Sequence, residues 1–486
     1  MLFNSYEFIF AFLPITFFIY FYLNQKRLTE AAKGFLVFSS LFFYSWWNIV
    51  YLPLILGSML FNYIIGESLS KTAEHRRVNR KSLLAVGIAA DVALLGYFKY
   101  ADFFISNVNT VAGTQIALLG LALPLAISFF TFQQIAYLVD SYRGETREYD
   151  FLNYALFVTF FPQLIAGPIV HHKEMMPQFA HARRKVVNYR HIAMGLFIFS
   201  IGLFKKVVIA DTYAVWANAG FGTAETLNFF EAWAASLSYT FQLYFDFSGY
   251  TDMAIGAALL FNIRLPINFD SPYKARDIQD FWRRWHITLS RFLKDYIYIP
   301  LGGNRKGHYR TYSNLILTFL IGGLWHGAGW TFVFWGVLHG IALAVHRLWK
   351  QLGLKMNGLA AWFITFNFIN IAWVFFRAET WGDAIRILKG MAGLGGVALP
   401  GFLQGKLPLS DHIGIVYTDW LTNVSGDMTT VLWIFTGFVL SLFLKNSTQM
   451  LAHFRLNYIT LMWAGAAFVV SVLSLNKVSE FLYFNF

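Results

Sequence analysis

Apolar stretches long enough to cross a bilayer recur along almost the whole chain, and they limit its fold more than any other feature. A helix needs about 20 apolar residues to span the hydrocarbon core of a membrane. The candidate segments are 5–23, 34–50, 51–67, 82–98, 116–138, 150–169, 191–210, 233–262, 312–325, 330–346, 357–376, 430–445 and 457–475. We therefore expect an all-α polytopic membrane protein with about 11–13 spans.

The composition excludes the main soluble classes of protein. Of the 486 residues, 57% are hydrophobic and only 13% are charged, about half the roughly 25% that is usual in a soluble domain. A soluble core stops growing near ~250–300 residues, after which the chain divides into domains joined by polar linkers; no such linkers are present. The chain also has no cysteine, which excludes disulfides, thiolate nucleophiles and thiolate metal sites.

Basic residues between the apolar segments predict which loops are cytoplasmic. The first loop carries Lys26, Arg27 and Lys33, and segment 71–81 carries a cluster of basic residues beside Glu74. Because two spans separate these loops, we expect both on the cytoplasmic side of a bacterial inner membrane and the N-terminus in the periplasm. The net charge of +12 then belongs to loops that flank spans, so nucleic acid is not an expected partner.

Two segments have the charge pattern of hairpins that enter the membrane and return to the same side. Segment 150–169 has basic residues on both flanks, and its Pro162, Gly167 and Pro168 interrupt any long helix. Segment 312–346 is also flanked by basic residues, and at 1.5 Å per residue it would extend about 52 Å, too far for one span. Irregular backbone at membrane depth is tolerated only where protein or water covers it, so we expect a non-lipid interior.

We interpret 1–486 as one integral membrane domain in three parts. The N-terminal spans occupy 1–138, the catalytic core occupies 139–376, and a periplasmic segment with the C-terminal spans occupies 377–486. The core contains a basic cytoplasmic loop, 264–310, with ten Lys or Arg against four Asp, a net charge of +6.

His326 is the first candidate for chemistry. It lies in the middle of an apolar run, between Trp325 and Trp330 and among glycines. An ionisable residue at membrane depth is by default a functional hypothesis, and an imidazole titrates near ~6.5, where it can act as a base. A packing histidine that hydrogen-bonds to a neighbouring helix is the alternative, which position alone leaves open.

His286 lies in segment 281–291, where apolar and basic side chains interleave at near-helical spacing. One interpretation is an amphipathic helix at the membrane interface whose arginines meet lipid phosphates. The other is a platform for an anionic ligand that stacks on aromatic rings such as Trp285, because the forks of Arg283 and Arg284 bind phosphate in bidentate fashion. The sequence alone favours neither.

The remaining polar groups of the apolar segments are expected to be structural. Asp246 and Asp252 stand in an apolar stretch, where buried carboxylates need partners such as the basic loop or a histidine. A snorkelling position at a helix end accounts for Arg377. The adjacent pair His171 and His172 lacks the spacing of a helical metal site, and no metal is expected.

Six short segments, in their order along the chain, resemble the signatures of the membrane-bound O-acyltransferase family. The resemblance is strongest to the branch that includes the membrane subunit of alginate O-acetylation, and it covers nearly the whole chain. The matching segments are 166–169, 242–252, 281–290, 298–305, 323–327 and 375–378.

The resemblance implies a helical funnel, thin at its centre, with His326 as the catalytic residue and His286 as an ancillary histidine. As a hypothesis, His326 is the general base, and His286 positions the donor or stabilises the oxyanion. The donor would be a cytoplasmic acyl thioester, acetyl-CoA above all, with no bound cofactor. The predicted substrate-binding residues are Arg283, Arg284, Trp285, Trp325, Asn304 and Arg305.

The expected acceptor is an extracytoplasmic polysaccharide such as alginate, with peptidoglycan or another surface glycan as the alternative. A periplasmic SGNH-type acetyltransferase or a carrier protein, together with membrane lipids, would be the partners. Two other classes of function stay open at this point. The chain could transport an acylated lipid or glycan, or it could be a scaffold that anchors a periplasmic acetylation complex.

Overall fold

The computed structural model describes residues 1–70, 79–146, 150–406, 415–475 and 481–482. The predicted basic segment 71–81 is therefore described only from Asn79 onward. Within the described residues the secondary structure is mainly helical, with two short strands. The prediction of an all-α polytopic membrane protein is confirmed.

The described chain divides into two compact units, while the three-part division of the sequence stays a prediction. The first unit consists of 1–203, 250–267 and 454–486. Its helices are α1 Leu13–Gln25, α2 Thr29–Ser45, α3 Leu52–Ser70, α4 Arg80–Leu95, α5 Ala101–Ala112, α6 Ile127–Arg143, α7 Phe151–Thr159, α8 Phe161–Leu164, α9 His172–Ala180, nearly all of α10 Tyr189–Phe204, the end of α12 Phe229–Leu260, and α21 Tyr458–Leu473.

The second unit consists of 204–249 and 268–453. It also holds the parallel strands β1 Val397–Pro400 and β2 Ile415–Thr418, in which Val397 pairs with Ile415. Its helices are α11 Asp211–Asn218, most of α12, α13 Ile278–Arg284, α14 Ile287–Leu293, α15 Gly307–His326, α16 Trp330–Gln351, α17 Gly358–Arg377, α18 Trp381–Met391, α19 Met428–Leu442 and α20 Ser447–Ala452.

Six helical stretches within the described residues are long and apolar enough to cross a membrane. Two further helices, α19 and α21, are also apolar but shorter. The six stretches are Glu7–Gln25, Ile49–Ser70, Arg80–Ala112, Tyr189–Gly222, Trp330–Gln351 and Gly358–Arg377. The other predicted spans form helices that are shorter, broken or less apolar.

Two predicted spans differ from a continuous helix for visible local reasons. The span 116–138 is wrong in its first half, because residues 116–124 are not helical and α6 begins only at Ile127, after Pro124 and the left-handed Ala126. The predicted interruption of 150–169 is confirmed. Helix α7 ends before Phe160, which has φ −47° and ψ 107°, and α8 begins with Pro162 in its first turn.

The run 312–346 folds into two antiparallel helices, α15 and α16, as the hairpin prediction requires. Gly323 faces Gly336, and Gly340 faces Ile316. A Cβ atom on Gly340 would lie only 2.6 Å from the Ile316 Cα, so glycine is needed for the two backbones to approach this closely. The short turn between the helices, residues 327–329, contains two of the glycines.

The basic segment 264–310 is more ordered than the loop expected from its charge. Asp277 begins α13 by accepting a hydrogen bond from the Asp280 backbone N–H at 2.8 Å, and α14 follows directly after His286. The apolar side of both helices is buried, including Phe281 and Leu289. Interleaving of apolar and basic residues therefore produced short amphipathic helices whose apolar faces pack inside the second unit.

Candidate active site

His326 is the last residue of α15 and lies at the closed end of the α15–α16 hairpin. Its side chain is buried, with 3% of the residue exposed. Three aromatic rings surround the imidazole, with ring centroids 4.8 Å away for Trp325, 5.2 Å for Trp335 and 5.0 Å for Phe376. This aromatic enclosure excludes water from one side of the imidazole.

His286 joins the same enclosure from a different element. It precedes α14 in a left-handed conformation, with φ 44° and ψ 54°, and it is fully buried. Its ring centroid lies 6.5 Å from that of His326 and 6.1 Å from that of Trp325. The two histidines predicted from the sequence are thus brought together, and the Trp325 ring lies beside both.

Asn268 determines which nitrogen of His286 carries the proton. The Asn268 Oδ1 accepts the backbone N–H of Thr288 at 3.1 Å and the Thr288 hydroxyl at 2.9 Å, which identifies this atom as an oxygen. The His286 Nδ1, 3.2 Å from that oxygen, must therefore donate. Burial also lowers the pKa of His286 to about 3, so the ring is neutral and its Nε2 is an acceptor.

Trp335, on α16, places a buried donor beside His326. Trp335 is 1% exposed, and its indole Nε1 has no hydrogen-bond partner among the described residues. A buried N–H without a partner is rare in native proteins and calls for a specific explanation, such as a ligand. Sequence reasoning missed Trp335; the signal was its position nine residues after His326, across a tight helical hairpin.

Comparison with known proteins decides the family. Residues 9–378 match the model of the membrane-bound O-acyltransferase family. The chain belongs to this family. It is an O-acyltransferase, and the two buried histidines are its candidate catalytic groups.

Three relatives of this acyltransferase illustrate the range of similarity. A peptidoglycan O-acetyltransferase of Helicobacter pylori is 50% identical, over 100% of this chain and 98% of that protein. A probable alginate O-acetylase of Pseudomonas aeruginosa is 42% identical, over 81% of this chain and 75% of that protein. A teichoic acid D-alanyltransferase of Streptococcus thermophilus is 28% identical, over 55% of this chain and 70% of that protein.

The predicted substrate-binding residues of the acyltransferase fall into two groups. Trp325 lies in the enclosure, 4% exposed. Trp285 is also buried, but its ring packs against other aromatic side chains, with the Trp373 centroid at 5.0 Å and the Phe269 centroid at 5.1 Å. The structure therefore places Trp285 in the aromatic core beside the enclosure, where its faces are already covered.

The polar members of the set lie at the surface. Arg283 is exposed, and Arg284 donates from Nε to the Asp280 carboxylate at 2.9 Å. Asn304 and Arg305 are exposed in the turn that precedes α15. These four residues are accessible to a phosphate group, whereas both histidines are buried, so a ligand that contacts both groups must extend from the surface into the enclosure.

Asp246 has a buried partner that sequence reasoning did not single out. The Lys206 Nζ lies 2.8 Å from the Asp246 Oδ1 and 2.8 Å from the Asp211 Oδ1. Lys206 interrupts an apolar span, and an intramembrane lysine is itself a signal of a functional or structural ion pair. The pairing supports the structural role expected of Asp246, within the unit that holds both histidines.

Arg377 does more than snorkel at the end of α17. Its Nη2 donates to the Asn218 Oδ1 at 3.2 Å, and its guanidinium lies 5.8 Å from the centre of the Phe221 ring. It directly follows Phe376, one of the three rings around His326. Arg377 therefore connects the end of the enclosure to the last residue of α11 and to the helical segment that follows it.

Among the described residues, no group of three or more His, Cys, Asp or Glu side chains is arranged to hold a metal ion. His339, the third buried histidine near the site, accepts a hydrogen bond at its Nδ1 from the Trp282 indole at 3.2 Å. Its bond to Trp282 gives His339 a packing role.

Proposed function

We propose that this acyltransferase moves an acetyl group from a cytoplasmic thioester, acetyl-CoA, to a hydroxyl acceptor, with His326 as the general base. The observation that carries the proposal is the pair of buried imidazoles, 6.5 Å apart, in an aromatic enclosure at the closed end of a helical hairpin. A low-dielectric, water-poor enclosure suits acyl transfer, because water would otherwise hydrolyse the thioester.

His326 can carry out both proton transfers that the reaction requires. His326 accepts the proton of the acceptor hydroxyl as its oxygen attacks the thioester carbonyl carbon. The tetrahedral intermediate then collapses, the C–S bond breaks, and the imidazolium returns the proton to the CoA thiolate. A positioned base of this kind contributes about 10²–10⁴-fold to the rate.

The oxyanion of that intermediate needs a donor other than neutral His286. Because Asn268 holds the proton on Nδ1, the Nε2 of His286 accepts hydrogen bonds and cannot donate one to an oxyanion. We infer that His286 instead orients the acceptor hydroxyl or the N–H of His326. The buried Nε1–H of Trp335 is the better oxyanion donor, since it is beside His326 and has no hydrogen-bond partner among the described residues.

The donor is proposed to bind at the exposed arginines. CoA is long and carries its phosphates at one end and its thioester at the other. Arg283, Arg284 and Arg305 would bind the phosphates near the surface while the acyl end reaches His326. This arrangement explains why the enzyme lies in the membrane, because the acetyl group passes from a cytoplasmic donor to an acceptor on the opposite side of a bacterial inner membrane.

The acceptor is proposed to be an extracytoplasmic polysaccharide, reached through a periplasmic acetyltransferase or carrier protein. Peptidoglycan is favoured, because the relative named for it is 50% identical over the full chain. Alginate is the second candidate, supported by relatives at about 40% identity over about four fifths of the chain. Mass analysis of muropeptides and exopolysaccharide from cells with and without the chain distinguishes the two. Loss of acetyl groups from exopolysaccharide alone would reject peptidoglycan.

The test of the activity uses the absence of cysteine. Because the chain has no thiol, it adds no background to a thiol assay of the CoA released from acetyl-CoA by protein in lipid nanodiscs. A periplasmic fraction supplies the acceptor, and its own thiol signal is subtracted with nanodiscs that lack the protein. His326→Ala should lower CoA release by about 10²–10⁴-fold. His453→Ala, an exposed histidine, is the matched control and should be unchanged.

The same assay separates the alternatives. A transporter releases no CoA in its wild-type form. A scaffold keeps full acetylation as His326→Ala and loses it only when the whole chain is deleted. Either result would overturn the proposed enzyme.

A further inference from the structure

A groove of about 1290 Å³ lies in the first unit, and neither His286 nor His326 lines it. One wall is α1, which contributes aromatic side chains such as Phe18 and Phe21. The other wall is the segment that leads into α10, including Val186 and Ile192. Several of these apolar side chains are open to the surroundings, with Phe18 69% and Val186 66% exposed. Such exposure is stable in contact with lipid and unfavourable in water.

The groove is apolar at one end and basic at the other. On α1 the apolar lining begins at Phe17 and the helix ends at Gln25, a rise of about 12 Å, with Arg27 just beyond that end. On the opposite wall Lys185 lies just before the start of α10, and Ile192 lies inside it. Both basic residues therefore stand immediately outside an apolar span, where the hydrocarbon core meets the headgroups.

The length and charge of the groove match half a bilayer. A rise of about 12 Å is close to half of the ~30 Å hydrocarbon core, which is the depth of one leaflet. Among the described residues that line the groove, none is acidic. A further cation stands at the same end, because the Lys26 Nζ lies 5.7 Å from the centre of the Tyr22 ring, which itself lines the groove.

We propose that this groove binds one anionic diacyl phospholipid. The acyl chains lie along Phe17, Phe18 and Phe21, and the phosphate lies between Arg27 and Lys185. A zwitterionic lipid offers the same chains, but its own cation would meet the two basic side chains. Free phosphate would leave the aromatic wall uncovered. Lipid binding in this groove does not depend on the proposed reaction, since none of the residues named in the reaction lines the groove.

The experiment again uses the cysteine-free chain. Val186→Cys introduces a single thiol, which is labelled with bimane in full-length protein reconstituted in vesicles. Brominated phosphatidylglycerol should quench this label more strongly than brominated phosphatidylcholine at equal mole fraction, with a preference of at least about 5-fold. Leu359→Cys, at a 72% exposed position near the start of α17, is the control label and should show no preference.

The charge dependence is tested on the Val186→Cys background. Replacing both Arg27 and Lys185 by Gln should abolish the preference for phosphatidylglycerol, whereas replacing Lys350 and Lys355 by Gln removes equal charge elsewhere and should preserve it. If the first variant does not fold, salt is the substitute, because at 1 M the screening length falls to about 3 Å and the preference should disappear. Equal quenching by both lipids at position 186, or a preference that survives loss of the two basic residues or high salt, would overturn the proposal.

Discussion

The imidazole rings of His286 and His326 lie 6.5 Å apart, centroid to centroid, at an interplanar angle of 62°. The two residues belong to different elements, one before the first turn of α14 and one at the last residue of α15. This separation lets both rings contact one small reacting group, such as a thioester carbonyl and the hydroxyl that attacks it. Their different hydrogen-bond environments then give them different roles.

Trp335→Phe tests the proposed oxyanion donor. The substitution keeps an aromatic ring and removes only the indole N–H, so kcat should fall by about 10²–10³-fold with little change in the KM for acetyl-CoA. Trp373→Phe is the matched control, since its ring stacks on Trp335 at 5.8 Å and should leave kcat near the wild-type value. A Trp335→Phe enzyme with wild-type kcat would contradict the assignment.

Asn268→Asp tests the tautomer of His286. The carboxylate can accept the same three hydrogen bonds, but its charge favours the imidazolium, so the pKa of His286 should rise by about 1–3 units. Measured kcat should then decline at a higher pH than in the wild type as the solution is acidified. Asn268→Ala removes the acceptor altogether and should lower kcat at every pH. Superimposable pH profiles for wild type and Asn268→Asp would rule out this role of Asn268.

His286 also predicts how stability depends on pH. Burial lowers its pKa to about 3, below the ~6.5 of an unfolded histidine, so between these values the unfolded chain binds more protons. The free energy of unfolding should therefore decrease as the pH falls from about 6.5 towards 3. His286→Asn, a residue that tolerates the left-handed backbone, should flatten this decline in Tm measured between pH 7 and pH 4. An unchanged slope would show that His286 does not contribute.

Arg283→Gln tests the donor site. An exposed charge contact contributes modestly, so the KM for acetyl-CoA should rise by about 3- to 5-fold while kcat is retained. Arg284→Gln should have a smaller effect, because that guanidinium already binds Asp280 at 2.9 Å. If neither substitution changes KM, the arginines contact lipid phosphates, which is the alternative that the sequence left open.

Gly340→Ala tests the close packing of the hairpin. The new methyl group would meet the Ile316 Cα at 2.6 Å, a backbone atom that cannot turn aside, and overpacking of this kind destabilises by about 1–3 kcal/mol. Thermal unfolding in detergent should show a lower Tm. Gly465→Ala, on α21 with no neighbouring atom within 4 Å, should leave Tm unchanged or raise it. Equal Tm values for both variants would contradict the close approach.

Several features of the site were predictable because they depend on local residue order. His326 stands out as a polar residue in an apolar run, and the glycines on both sides of it indicate a tight hairpin. The helix break near Pro162 follows from the missing backbone donor of proline. By contrast, the span predicted at 116–138 failed in its first half, since apolar composition does not reveal that the Asn109 and Asp102 side chains accept backbone N–H groups of this exposed, non-helical segment.

The partners of buried polar groups were not predictable in the same way. Nothing near Asp246 in the sequence points to Lys206, and nothing near His286 points to Asn268, because each pair joins separate elements. Trp285 shows the same limit: its pattern with two arginines is typical of a ligand platform, and only the structure shows that Phe269 and Trp373 pack against its ring.

The sequence alone determined that this is a membrane protein, that basic residues flank its spans, that it has no thiol chemistry and that it carries the family signatures. Each of these features depends on residue type and spacing along one element. Only the tertiary structure decided that His286 and His326 meet, that Asn268 holds the proton on Nδ1, and that Trp335 places an N–H beside them. Hydrophobicity is a property of neighbouring residues, whereas a contact between distant residues exists only once the helices that carry them have packed.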